Sequence, residues 1–154
     1  MARYDGPEIS AGGVSLVKPT SSSFARALRG ADLTDEQQIW FERSAHDDAC
    51  FFFGVRRDDV LVGQIFFHDA VWPKREALVG YHIFRSDQRG KGTGSAALAL
   101  LCDYGAQELG LRRLIAITST GNRASRSIAS KVGFLDIGPA REGAHLVVYE
   151  RRLS

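Results

Sequence analysis

Cysteine is scarce in this chain. It has two, Cys50 and Cys102, and neither has a CxxC partner. That argues against a disulfide framework and a zinc site, and it suits a reducing cytoplasm. Long apolar runs are missing as well. No segment approaches the roughly 20 apolar residues of a membrane span, and the N-terminus lacks the continuous apolar stretch of a signal peptide. The expectation is a soluble, cytoplasmic protein with no membrane partner and no metal. A surplus of one charge is lacking too. Lys and Arg total 20 against 18 Asp and Glu, for a net charge of +2, so nothing pulls the chain toward nucleic acid. The short pairs Arg56-Arg57, Arg112-Arg113 and Arg151-Arg152 read as solvated ends of strands or loops. Repeats and low-complexity linkers are absent. What remains is ordinary for one globular domain: 154 residues, 44% hydrophobic and 25% charged, enough to bury a core without staples.

Residues 1–13 are polar and contain glycine, and they read as a loose N-terminal arm; residues 14–154 read as a single domain. "VSLV" starts a strand that Pro19 ends. "TSSSFARALRG" and "LTDEQQIWFERSA" have helical spacing, the second with Thr34 and Gln37 at capping-box distance. "CFFFGVRRDD", "VLVGQIFFH" and "ALVGYHIF" read as consecutive strands, with Asp58-Asp59 as a hairpin turn. A helix over Ser95–Leu109, a strand in "LRRLIAITST", a short helix in "NRASRSIASKVG" and a closing strand pair follow. The order βααβββαβαββ predicts an α/β fold in the α+β sense: a mixed sheet, with antiparallel hairpins first, some parallel pairing later, and helices on both faces.

The most informative stretch is "SDQRGKGTGSAALALL", with Gly90, Gly92 and Gly94 between a strand and a helix. A Walker A loop fails, because Gly90-Lys91 is followed by Gly92 and position 85 is Arg85. A dinucleotide fingerprint fits Gly92, Gly94 and Ala97 in letters, but the next strand ends in "ITSTGN" and supplies no acidic residue for a ribose. The pattern [Q/R]-x-x-G-x-[G/A] fits at Arg89, Gly92 and Gly94. Glycines let backbone N–H groups close on a phosphate, and the helix that follows leaves its first N–H groups and positive dipole end facing the loop.

With "NRASRSIASKVGF" downstream, this sequence resembles the GNAT superfamily of acyl-CoA N-acetyltransferases, over residues 77–138. In "N-x-A-S" it resembles the branch that acetylates ribosomal-protein N-termini. The resemblance implies a mixed, mostly antiparallel sheet splayed between its fourth and fifth strands. It implies acetyl-CoA as cosubstrate, and a primary amine, on a small molecule or a peptide, as acceptor. It assigns the pyrophosphate to Arg89, Gly90, Lys91, Gly92, Thr93, Gly94 and Ser95, and the pantetheine arm to the backbone of His82 and Phe84 and to Asn122. Direct attack in a ternary complex is implied, and a homodimer is a fair expectation. Two family positions differ: Leu78 stands where relatives often carry a glutamate, and Ala129 where many carry a tyrosine. Ser125 is therefore the expected hydrogen-bond donor to the sulfur, with Ser127 as a weaker candidate. Glu76 is the expected base, and His82 is also suited by its titration near neutrality. Trp40, Phe41 and Trp72 are candidate walls of the amine pocket. The alternative is an acyl-CoA-binding sensor or assembly module without turnover.

Overall fold

The computed structural model describes residues 4–18, 34–44, 47–83 and 89–153. The helix expected over residues 20–30, and Phe84, lie outside them. The described strands are β1 (Ile9–Ala11), β2 (Val14–Val17), β3 (Phe51–Arg57), β4 (Val60–Val71), β5 (Glu76–Ile83), β6 (Arg113–Ser119), β7 (Leu135–Ala140) and β8 (Gly143–Arg152). The described α-helices are α1 (Asp35–Ser44), α2 (Thr93–Gln107) and α3 (Arg123–Lys131). The strands form one sheet in the order β1-β2-β3-β4-β5-β6-β8-β7. Every neighbouring pair is antiparallel except β5 and β6. That parallel pair holds only from Glu76–Leu78 against Arg113–Ile115. Beyond it β5 runs on to Ile83 and β6 to Ser119, so the sheet opens there. Among the described residues no helix is long and apolar enough to cross a membrane.

The β-strand period of two sets the layers. Phe53, Val55, Ile65, Phe67, Ala77 and Val79 face one way and join Ala97, Leu98, Leu101 and Cys102 of α2 in the main core. The other face carries a smaller cluster of Cys50, Phe52 and Phe66. Trp40 of α1 lies over that cluster, its ring 5.3 Å from Phe66. Burial on both faces explains why "CFFFGV" is a continuous apolar run.

One expectation is corrected. Residues 9–11, placed in a loose arm, form β1 and pair with β2 from Ile9↔Leu16 to Ala11↔Val14. The reason is Gly12-Gly13, both at positive φ (58° and 82°), the backbone that a two-residue hairpin turn requires. Tyr4 is buried as well; its N–H donates to the Phe52 carbonyl (2.8 Å) and its ring stacks 4.7 Å from Phe53. The Asp58-Asp59 turn forms as expected, with φ of 47° and 70°.

Gln64 on β4 is fully buried, and neither side-chain amide atom has a hydrogen-bond partner among the described residues. An unsatisfied buried amide costs about 1–3 kcal/mol. Gln64→Met keeps the volume and removes both polar atoms. It is expected to raise stability by about 1 kcal/mol. Urea unfolding with a higher midpoint and an unchanged slope would show it; a lower midpoint would refute it.

Candidate functional site

The opening between β5 and β6 leads to a cavity of about 490 Å³. Its walls come from three places. The end of β5 gives Tyr81, His82 and Ile83; the loop and first turn of α2 give Arg89, Gly90, Gly92, Thr93, Gly94 and Ser95; α3 and its cap give Asn122, Ala124, Ser125, Ser127, Ile128 and Lys131.

The loop has the geometry of an anion seat. Gly90 and Gly92 have φ of 75° and 78°. A Cβ built on either would meet no other atom within 4 Å, so open space borders the backbone there. Gly92 caps α2 without any side-chain hydrogen bond. The first intrahelical N–H is that of Ala96, donated to the Gly92 carbonyl. The N–H groups of Thr93, Gly94 and Ser95 precede it and have no intrahelical acceptor. They stand at the positive end of the helix dipole, beside the cavity. Arg89 Nη2 donates to the Ile83 carbonyl at 3.1 Å, tying the loop back to β5. Lys91 is exposed and does not line the cavity.

The opposite wall is set by the α3 cap. Asn122 Oδ1 accepts from the Ser125 N–H at 3.0 Å. That bond uses the oxygen and leaves the amide NH2 as the donating end. Ser125 then faces β5, where its Oγ lies 2.9 Å from the Tyr81 hydroxyl. The same hydroxyl reaches the Ser125 carbonyl at 3.1 Å. The pair links β5 to α3. Burial raises the Tyr81 pKa, an effect that the hydrogen bond from Ser125 partly offsets. The phenol is therefore a proton donor at neutral pH. The phenol has one hydrogen: given to the Ser125 carbonyl it leaves Ser125 Oγ–H to donate to Tyr81, and turned to Ser125 Oγ it releases the serine hydrogen for a ligand.

Most expected site residues come together here: His82, Arg89, Gly90, Gly92, Thr93, Gly94, Ser95, Asn122, Ser125 and Ser127. Glu76 does not. It lies five residues back from Tyr81, roughly 16 Å along an extended strand. There it pairs with Arg113 at 3.5 Å, and Arg113 also holds Glu150 at 2.8 Å. Glu76 marks the closed end of the split and is not among the residues that line the cavity. Trp40 packs edge-on to His68 (5.4 Å), and Trp72 Nε1 donates to the Asp48 carbonyl (3.1 Å); neither lines the cavity. The Phe41 side chain is outside the described residues. Among those residues, no group of three or more His, Cys, Asp or Glu is placed to hold a metal ion. Tyr81 is the residue that the sequence reading missed. Alternation places it opposite His82, and the reading followed the His82 face.

The fold and cavity thus define an α/β protein that offers an anion seat beside an open strand edge. Residues 18–135 match the family model described as "Acetyltransferase (GNAT) domain", and the chain belongs to that family. It is similar to YdaF of Bacillus subtilis (strain 168), named as a ribosomal N-acetyltransferase. The two are 36% identical over 93 residues, 60% of this chain and 50% of that protein. The match spans about half the length of the curated relatives. The fold is similar to that of RimL, the ribosomal L7/L12 alpha-N-protein acetyltransferase, solved in complex with coenzyme A. Its TM-score is 0.76 at 16% identity, covering 96% of this chain and 98% of that one. It is also similar to that of MccE, a self-immunity acetyltransferase solved with acetyl-CoA and AMP. There the TM-score is 0.71 at 15% identity, covering 93% of this chain and 94% of that one.

Proposed function

We propose that the sheet from β1 to β8 and its helices form a single N-acetyltransferase domain. It would move an acetyl group from acetyl-CoA to a primary amine, on a protein N-terminus or a small molecule, by direct attack in a ternary complex. The observation that carries this is the cavity itself, which joins a helix N-terminus capped by glycine, the open edge of β5 and the Tyr81–Ser125 pair. Similarity to YdaF, and a fold shared with proteins solved with coenzyme A and acetyl-CoA, supports the same reading.

Acetyl-CoA supplies an activated thioester. The residues of this chain divide the remaining work. The N–H groups of Thr93, Gly94 and Ser95 and the Gly90–Gly92 backbone receive the pyrophosphate, with positive charge from Arg89 nearby. The His82 backbone offers a strand edge to the pantetheine amides, and the Asn122 NH2 adds a donor. Ser125 Oγ–H donates to the sulfur as the thiolate leaves, while Tyr81 O–H turns from the Ser125 carbonyl to donate to Ser125 Oγ. This second bond keeps the serine hydrogen directed into the cavity. His82, the histidine among the described lining residues, takes the proton of the attacking amine.

Calorimetry with acetyl-CoA and thiol release with a panel of amines test the proposal. No binding at millimolar acetyl-CoA would sink it. Ser125→Ala is expected to lower kcat about 100-fold, and Tyr81→Phe about 10-fold, with acetyl-CoA affinity held within a few-fold. A wild-type kcat in both variants would remove this pair from the chemistry.

Among the described residues the cavity lining contains no Asp or Glu, and this favours a second reading, an acyl-CoA-binding module without turnover. Tight acetyl-CoA binding with no thiol release for any amine would select that reading.

A further inference from the structure

Arg57 closes β3, next to Arg56, and in the sequence the two look like one solvated basic pair. The structure separates them. Arg56 forms an ion pair with Glu8. Arg57 reaches a different element. Its Nη1 donates to the Lys91 carbonyl at 3.0 Å and to Thr93 Oγ1 at 3.0 Å. One guanidinium nitrogen carries two hydrogens, so both bonds form at once.

These two bonds have consequences for the anion seat. The Lys91 carbonyl and the Gly92 N–H belong to the same planar, trans peptide, so they point in opposite directions. Holding the carbonyl toward β3 turns the Gly92 N–H the other way, and Gly92 lines the cavity. Thr93 Oγ1 accepts from a cation that cannot accept in return. The threonine keeps its own hydroxyl hydrogen for another partner, and Thr93, only 2% exposed, also lines the cavity. Arg57 itself is not part of the lining. It stands behind the loop, fixes two of its donors and adds a permanent positive charge.

We infer that Arg57 is a positioning residue that holds the loop at residues 91–93 in its anion-receiving form, and so sets affinity for the pyrophosphate of the acyl donor. The inference rests on the acetyl-CoA reading above. It makes a distinction that a merely structural arginine would not: the effect must depend on whether the donor carries a pyrophosphate.

The experiment compares acetyl-CoA with acetyl-pantetheine, the same thioester without the pyrophosphate. The proteins are wild type, Arg57→Ala, Arg57→Lys and the neighbour control Arg56→Ala. Loss of two charge-assisted hydrogen bonds to the loop is expected to raise the Kd and KM for acetyl-CoA about 10- to 30-fold in Arg57→Ala. The kcat at saturating acetyl-CoA, and kcat/KM for acetyl-pantetheine, should stay within about twofold of wild type. Arg57→Lys keeps the charge but offers a differently shaped donor group, so it should fall between the two. Arg56→Ala should match wild type. An Arg57→Ala that binds acetyl-CoA as wild type does would overturn the inference. So would an equal loss with both donors, which would mean general damage. Should Arg57→Ala fail to fold, the donor comparison in Arg57→Lys decides alone. A wild-type protein that binds no acetyl-CoA would overturn the functional reading together with this one, whereas binding in wild type with no Arg57 effect overturns this one only.

Discussion

Gly92→Trp is expected to abolish measurable acetyl-CoA binding while the protein stays folded. The position of a Cβ on Gly92 meets no atom within 4 Å. The new side chain would therefore enter open space beside the cavity, not the core. An indole there occupies the volume where a phosphate would meet the N–H groups of Thr93, Gly94 and Ser95. The φ of 78° adds strain, because L side chains rarely adopt it. That strain is worth about 1–2 kcal/mol, too little to unfold a domain of ordinary stability. Loss of the seat should weaken binding at least about 100-fold, or roughly 2.8 kcal/mol. Gly94→Trp should block binding as well, at a greater cost to the fold. A Cβ there already comes within 2.8 Å of Ile128 Cδ1, at the contact of α2 with α3. Calorimetry of both variants, with circular dichroism as the check on folding, tests the pose. A folded Gly92→Trp with wild-type affinity would place the pyrophosphate elsewhere.

This loop was legible in the sequence because its chemistry is local. Glycine spacing, the strand before it and the helix start after it all fall within a few residues. The α3 cap was legible for the same reason, since Asn122 and Ser125 are three apart and bond to each other. The antiparallel run from β3 to β5 could be read from alternation and from the Asp58-Asp59 turn. The β1 hairpin could have been read from Gly12-Gly13, but its strands are short and polar and were absorbed into an arm. The remaining parts of the site are of another kind. Tyr81 with Ser125, and Arg57 with Lys91 and Thr93, join residues more than thirty positions apart across different elements. No local period encodes such pairs. Glu76 lies outside the cavity lining for a related reason. Alternation gave its sheet face correctly, but not how far along β5 the sheet opens, and that distance decides whether its carboxylate faces a ligand or Arg113.

Gly63→Ala should produce the largest loss of stability among the single methyl additions considered for this sheet. A Cβ on Gly63 would sit 2.3 Å from the His82 carbonyl oxygen, 3.2 Å from the His82 carbonyl carbon and 3.1 Å from Ile83 Cα. These are backbone atoms of the paired strand, in the register Gly63↔Ile83. They cannot rotate away as a side chain would, so β5 must shift or the pairing must break. Gly54→Ala provides the comparison within the same sheet. Its Cβ would meet Leu61 Cδ1 and Val17 Cγ2, each at 3.1 Å, and these are side-chain ends that can yield. Overpacking against a rigid neighbour costs about 3 kcal/mol, and against a yielding one about 1 kcal/mol or less. For a domain of this size the first corresponds to a fall in Tm of roughly 6–12 °C. Function should fall with it, because His82 and Ile83 are two of the β5 residues that line the cavity and Arg89 is tied to the Ile83 carbonyl. The expected result is therefore a paired loss of Tm and acetyl-CoA affinity in Gly63→Ala, with Gly54→Ala close to wild type in both. Equal, small shifts in the two variants would mean that the close approach of β4 and β5 at His82 is not what holds this end of the cavity.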